Sequence, residues 1–269
     1  MRAAGRKEDS ITAAQESIQR RDRGAGAGKL FVVGIGPGGP LDRTRRAEQA
    51  IAQSQLVVGY DRYLDLIQDL TAGKELVSSG MTQEVERCRA ALASARDGKV
   101  VALVSSGDPG VYGMAGLAIE LAAAEGFSVP IEIVPGVSAA NAAAAKLGAP
   151  LMLDFACISL SDLLVPWEVI RQRLDAVAAA DLVVALYNPR SQKRVKQLDE
   201  AQAIFRRHRP GATPVGIGTA VGTDEERIVL SDLDRFLAED IGMKSVVVIG
   251  NRSSRRIAGW LVTPRGYQI

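Results

Sequence analysis

Three glycine-rich turns, each placed where a short β-branched run stops and a small-residue helical stretch starts, constrain this chain more than any other feature. The first is Gly34, Ile35, Gly36, Pro37, Gly38 and Gly39. The second is Ser105, Ser106, Gly107, Asp108, Pro109, Gly110, Val111 and Tyr112. The third is Pro135, Gly136, Val137, Ser138, Ala139 and Ala140. Short apolar runs alternating with segments whose apolar residues recur every three or four positions are the pattern of parallel strands buried by helices. The strand candidates are 30–33, 56–58, 100–104 and 131–134, with helical stretches at 43–52, 82–95 and 112–124. Ser138 is placed to cap a further helix of small residues at 139–145. The pattern predicts an N-terminal α/β domain over 29–150, its last helix ending near Leu147.

A second set of strand signals follows at 154–159, 182–186, 214–219, 227–230 and 245–249, with helical segments at 166–179 and 193–207. The last three runs lie close together with no helix between them. A C-terminal α/β domain with a mixed sheet is therefore expected over 151–269. Residues 1–28 carry few large apolar side chains and end in Gly24, Ala25, Gly26, Ala27 and Gly28, so they read as a flexible N-terminal tail. The acids Glu8, Asp9, Glu16 and Asp22 argue against an organellar transit peptide.

Composition narrows the chemistry. Apolar residues make up 47% of the 269 but aromatic ones only 4%, so the core must be aliphatic. No run approaches the roughly 18 apolar residues of a bilayer span and no signal-peptide pattern opens the chain, which predicts a cytoplasmic protein without a membrane partner. Cys88 and Cys157 cannot supply four ligands, and His208 is the single histidine, so no metal site and no histidine triad are expected. A formal charge of +2 gives no whole-surface case for nucleic acid.

Gly34, Gly36 and Gly39 satisfy the G-x-G-x-x-G spacing of dinucleotide folds. Pro37 removes an amide donor from that loop, however, and the run 56–58 leads into Gly59 and Tyr60 without the acid that would bind ribose. Four glycines and a proline in six residues suggest instead a stiff wall, free of side chains, where a ligand meets the backbone. Asp108 precedes a proline, which favours an extended backbone and aims its carboxylate at the C-terminal edge of the sheet. The alternative is that it caps a helix beginning near Val111.

In order and spacing, the three turns together resemble the tetrapyrrole (precorrin) methylases, over residues 29–269. In the second half, the run from Cys157 through Ser159, Ser161, Asp162 and Pro166 to Trp167 and Glu168 extends the resemblance. With Ala185, Leu186, Tyr187, Asn188, Pro189 and Arg190, and the terminal Thr263, Pro264, Arg265, Gly266 and Tyr267, it looks like the branch that methylates ring carbon 17 of precorrin-3B. The resemblance implies two α/β domains in the class III methyltransferase fold, usually a homodimer, with S-adenosylmethionine in the cleft between the domains. The positions that match donor contacts are Gly36, Pro37, Gly38, Ser106, Gly107, Asp108, Val111, Ser138, Ala139, Tyr187, Asn188 and Gly216.

S-adenosylmethionine carries an activated methyl, so the protein must align it with an electron-rich ring carbon and supplies no nucleophile. The product is S-adenosylhomocysteine. In the precorrin-3B branch the ring also contracts, to give precorrin-4 in cobalamin biosynthesis, as a hydroxyl at carbon 20 becomes a ketone. A proton acceptor would assist. Asp108, Asp162 and Tyr112 are the catalytic candidates, although Asp162 also suits a cap for the helix containing Trp167. The acetates and propionates of a tetrapyrrole call for guanidinium groups. Arg190, with Lys193 and Arg194, follows one strand run; Arg252, Arg255 and Arg256 follow another. Competing readings are cobalt-precorrin-3 methylation at the same carbon, a nicotinamide (NAD) oxidoreductase, and a non-catalytic tetrapyrrole carrier.

Overall fold

A computed structural model describes residues 28–80 and 82–268; the N-terminal tail expected over 1–28 lies, except for Gly28, outside them. The chain forms two compact units. The first takes the chain up to Gly34 with Arg45–Ser105 and Gly113–Pro135; the second takes Ile35–Thr44, Ser106–Tyr112 and everything from Gly136 onward.

In the first unit, strands β1 (Lys29–Gly34), β2 (Leu56–Tyr60), β3 (Glu75–Ser79), β4 (Val100–Ser105) and β5 (Ile131–Val134) form one parallel sheet in the order β3-β2-β4-β1-β5. Helices α1 (Arg45–Gln53), α2 (Asp61–Asp65), α3 (Glu84–Arg96) and α4 (Ala115–Glu125) accompany it. The central strands are apolar without alternation because both faces are covered, and Val32, Val58 and Leu103 meet Leu92 and Ala118 of the helices. The sequence reading missed β3 and α2. Strand β3 is largely exposed at the sheet's edge, so its composition carries little apolar signal. The helix expected at 112–124 starts only at Ala115, because Tyr112 takes a left-handed backbone with φ 54°.

The second unit contains β6 (Gly148–Ala149), β7 (Phe155–Ser159), β8 (Val183–Tyr187), β9 (Pro214–Thr219), β10 (Arg227–Asp232), β11 (Ser245–Ile249), β12 (Arg255–Ile257) and β13 (Trp260–Val262). Its main sheet runs β10-β9-β11-β8-β7, with β7 and β8 parallel and the other neighbours antiparallel. Helices α5 (Ala139–Leu147), α6 (Trp167–Ala179) and α7 (Lys196–His208) sandwich it. Alternation along the strands divides the core. Val184, Leu186, Val247 and Ile249 pack with Ile170, Leu174, Leu198 and Phe205 of α6 and α7. Val183, Ala185, Val246 and Val248 pack with Ala140, Ala143 and Leu147 of α5. The boundary expected at 150 differs from this packing, since α5 covers the second sheet and belongs to the second unit.

At the edge where β8 begins and β11 ends, Arg209 is buried. It donates to the carbonyls of Gly250 at 2.5 Å and Leu182 at 2.6 Å, and burial pulls its pKa down to about 10.

Candidate functional site

Strands β7, β8 and β9 all finish at the other edge of the second sheet, where β11 starts; Ser159 lies opposite Tyr187 and Ser245 opposite Thr219. Past Gly34, Ser105 and Pro135, the three glycine turns assemble here, within the second unit. Gly36 and Gly107 pair as an antiparallel bridge, Gly36 N–H donating to Gly107 O at 3.2 Å and Gly107 N–H to Gly36 O at 2.7 Å. Both take left-handed φ, 81° and 65°, which glycine adopts at no steric cost. A Cβ on Gly107 would stand 3.6 Å from Ala139 N and 3.8 Å from Ser138 Cα, so the second turn lies against the third. A Cβ on Gly38 would collide with Thr223, and one on Gly39 with Gly222, which seats the first turn on the loop after β9. The ring of Pro37 also faces Gly222.

Asp108 ties two turns together. Its Oδ1 accepts from Gly110 N–H at 2.8 Å and its Oδ2 from Gly136 N–H at 3.1 Å. It does not cap a helix at Val111, whose N–H instead bonds the Asp108 carbonyl at 3.2 Å. Ser138 caps α5 as expected, accepting from Asn141 N–H at 3.3 Å. Tyr187, at the end of β8, accepts from Ala140 N–H at 2.9 Å, and burial raises the pKa of its phenol. Ser106 and Ala139, both half-buried, complete the second and third turns.

Tyr112 stands beside Tyr187 with ring centroids 5.0 Å apart and donates its hydroxyl to Cys157 O at 2.9 Å. Desolvation raises its pKa, so it holds its proton and forms a wall. Asn188, with φ 49°, donates its side-chain amide to Ser159 Oγ at 3.0 Å, and its carbonyl accepts from Arg194 at 2.7 Å. Tyr112, Asn188 and Ala220 thus place three left-handed non-glycine residues in loops at this edge. Such strain persists where the surrounding structure over-determines the backbone and clusters at functional sites.

The other expected residues divide. Asp162 is exposed and accepts from Gln197 Nε2 at 2.9 Å; it does not cap α6, whose N-cap is Pro166. Gly216 is buried in β9, and a Cβ there would lie 2.6 Å from the Leu147 methyl carbons, so the missing side chain makes room for α5. Arg190 is beside Asn188, paired with Asp199 at 2.8 Å, and its buried Nε has no acceptor. Arg252 is at the opposite edge, its N–H on Asp181 before β8 and its guanidinium on His208 O. Arg255 and Arg256 lie on exposed β12, in the small sheet joined to β6 at the far end of α5. Strand direction explains this: β11 runs antiparallel to β8, so the chain leaving β11 emerges away from the turns. Sequence reasoning missed Ser159 and the Cys157 carbonyl as partners of the site, because only the pairing of β7 with β8 places them there.

The result is a cradle of closely packed backbone turns tied together by Asp108, with the Asp42 carboxylate close to Gly222. After the first turn come a short 3-10 turn, Pro40–Asp42, and then α1 only from Arg45, so no helix N-terminus opens at the turn to seat a pyrophosphate. The nicotinamide reading loses its physical basis. Among the described residues no three of His, Cys, Asp and Glu group as metal ligands. No helix among them is long and apolar enough to cross a membrane.

The chain is similar to several known proteins. The "Cobalt-factor III methyltransferase" of Priestia megaterium is 46% identical over 245 residues, which cover 90% of this chain and 45% of that protein. The "Probable cobalt-factor III C(17)-methyltransferase" of Salmonella typhimurium is 43% identical over 89% of this chain and 100% of its own length. The "Precorrin-3B C(17)-methyltransferase" of a Sinorhizobium species is 42% identical, over 89% and 97%. The crystal structure of the methyltransferase CobJ superposes with a TM-score of 0.82 at 36% identity, covering 88% of this chain and 100% of that one. The sequence profile of the Tetrapyrrole (Corrin/Porphyrin) Methylases matches residues 29–236, the span that holds all three turns, and the chain belongs to that family.

Proposed function

We propose that this chain transfers the methyl group of S-adenosylmethionine to ring carbon 17 of precorrin-3B, with contraction of the macrocycle to precorrin-4, in cobalamin biosynthesis. The observation that carries the reading is the cradle of Gly36, Gly107, Asp108 and Ser138, in a chain that matches C(17)-methyltransferases along nearly their whole length. A uroporphyrin-III C-methyltransferase from Thermus thermophilus, solved with S-adenosylhomocysteine, has a TM-score of 0.64 and 25% identity to this chain. The donor supplies a methyl whose bond to sulfur breaks as the bond to carbon 17 forms, the sulfur keeping the electron pair.

The chain's own residues then have positional work. Left-handed Gly36 and Gly107 spend their N–H groups on each other, so their bridge offers a ligand carbonyl lone pairs and, at Gly107, a face without a side chain, which suits the hydroxyls and amino group of an adenosine. Asp108 fixes the second turn to the third, so it orients the donor and is the candidate to accept the proton from the carbon-20 hydroxyl. Tyr112 and Tyr187 wall the site. Gly38, Pro37, Ser106, Val111, Ala139 and Asn188 complete its surroundings. Arg190, which lies beside Asn188 and pairs with Asp199, is the residue proposed to meet a substrate carboxylate.

A second reading has specific support: the 46% and 43% identical relatives are named for cobalt-factor III, the cobalt-bearing counterpart. The purified protein should convert precorrin-3B in the presence of S-adenosylmethionine, with one S-adenosylhomocysteine released per methyl gained. Conversion of the cobalt-bearing substrate alone would establish the second reading, and no methyl transfer to either would refute both. The same proposal carries a homodimer located in the cytoplasm, acting on a small molecule without nucleic acid or membrane; sedimentation equilibrium tests the dimer.

A further inference from the structure

The three most exposed large aliphatic side chains among the described residues are Leu41 at 98%, Leu164 at 92% and Leu163 at 76%. Single exposed leucines need no explanation. These three, however, sit on two loops at one edge of the second unit, the edge that carries the glycine turns. Leu41 is on the 3-10 turn Pro40–Asp42, directly after Gly39, which abuts Gly222 in the loop following β9. Leu163 and Leu164 follow β7, whose last residue, Ser159, pairs with Tyr187. Their loop is held at both ends, by Gln197 on Asp162 at 2.9 Å and by Trp167 Nε1 on Glu200 at 2.9 Å. The leucines are therefore displayed on an anchored support.

Between the ends of β9 and β7 lie β11 and β8, three inter-strand steps, or about 14 Å. In that interval stand Asn188, Arg190 and Arg194, and the buried Nε atoms of both arginines lack an acceptor. Each guanidinium already holds one protein acceptor, Asp199 for Arg190 and the Asn188 carbonyl for Arg194, and its fixed positive charge is what a further carboxylate would meet. Apolar lips on either side of two guanidinium groups match one ligand chemistry, a flat ring system with carboxylates at its rim.

We propose that Leu41, Leu163 and Leu164 grip the ring faces of the tetrapyrrole while Arg190 and Arg194 receive its carboxylates. This rests on the methyltransferase reading above and names the residues that hold the acceptor substrate. The leucines bury against substrate and make no contact with the donor.

The test is the double variant Leu163→Ser/Leu164→Ser, with Leu41→Ser beside it, in the full-length protein. Both sites are exposed, so the variants should fold; melting curves check this. Burying a leucine is worth enough that the KM for precorrin-3B should rise about tenfold to a hundredfold in the double variant, with kcat little changed. The increase should persist at high salt, where contacts made by charge weaken. Calorimetric affinity for S-adenosylhomocysteine should stay as in the wild type. Unchanged KM in both variants overturns the proposal. A KM that rises only when sedimentation shows a smaller species also overturns it, and assigns the leucines to contact between copies of the chain. Absorbance titration of the tetrapyrrole is the second readout: if the wild type binds it without turnover, the reaction assignment fails, and weaker binding by the double variant still supports the grip. Absence of any tetrapyrrole binding by the wild type removes both.

Discussion

Gly107 combines a left-handed backbone with room for a Cβ, in ordinary contact with the third turn, but for little more, and the two properties have separable costs. A β-branched residue at φ 65° pays roughly 1–2 kcal/mol in backbone strain, so Gly107→Val should melt a few degrees lower. The same side chain enters the space above Ser138 and Ala139, and calorimetry should find no binding of S-adenosylhomocysteine. Gly107→Ala carries a similar backbone penalty, yet its Cβ makes ordinary contact at 3.6 Å, so it should retain measurable donor affinity. Equal donor affinity in Gly107→Val and the wild type would remove this turn from the site. At this scale the sequence was informative wherever chemistry forces a residue type, as at Gly36, Gly107, Asp108 and Ser138. At Gly216 it could not show that the missing side chain makes room for Leu147 of a helix. It was silent on Cys157, whose contribution is a backbone carbonyl that any residue possesses.

Helix α5 shows how elements set the limits of the site. It runs from the cradle, where Ser138 caps it, down the second sheet to Leu147. Gly216→Ala would push a methyl to 2.6 Å from Leu147, an overpacking worth about 1–3 kcal/mol in denaturant melts, while donor affinity stays unchanged. Helices α6 and α7 are clasped by Asp175, which His208 and Arg207 hold below the usual carboxylate range. A depressed carboxylate adds stability above its unfolded value, near pH 3.9, and loses it as pH falls through the lower folded value. Asp175→Asn should therefore lower the melting temperature at neutral pH, with the deficit vanishing as pH drops below about 4. Elements buried on both faces were readable because their composition is extreme. Edge strand β3 and the hairpin of β12 and β13 were not, since exposure leaves them no pattern. Nor does sequence record direction: β11 gives no sign that it runs against β8, so sequence alone does not show that Arg252, Arg255 and Arg256 follow it away from the edge of the glycine turns.

For the molecule as a whole, the chain passes between the two units at each glycine turn, leaving the first after Gly34, Ser105 and Pro135. Neither unit is a continuous stretch, so a cut at the expected boundary should yield incomplete parts. A fragment of residues 1–150 retains α5 without β8, β9 and β11, and hydrogen exchange should find no protected amides across 139–147 in it. Protection there would mean that α5 folds without its sheet. The Gly36–Gly107 bridge has a further consequence for how such a protein can be studied and how it can drift. What the fold preserves at that point is a pair of absences, two positions where no side chain stands. Alanine scanning subtracts groups and reads the loss, but here it has nothing to subtract and can only add. The positions most intolerant of change would then be reported as gains of one methyl, and a survey ranked by side chains removed would pass over the centre of the site.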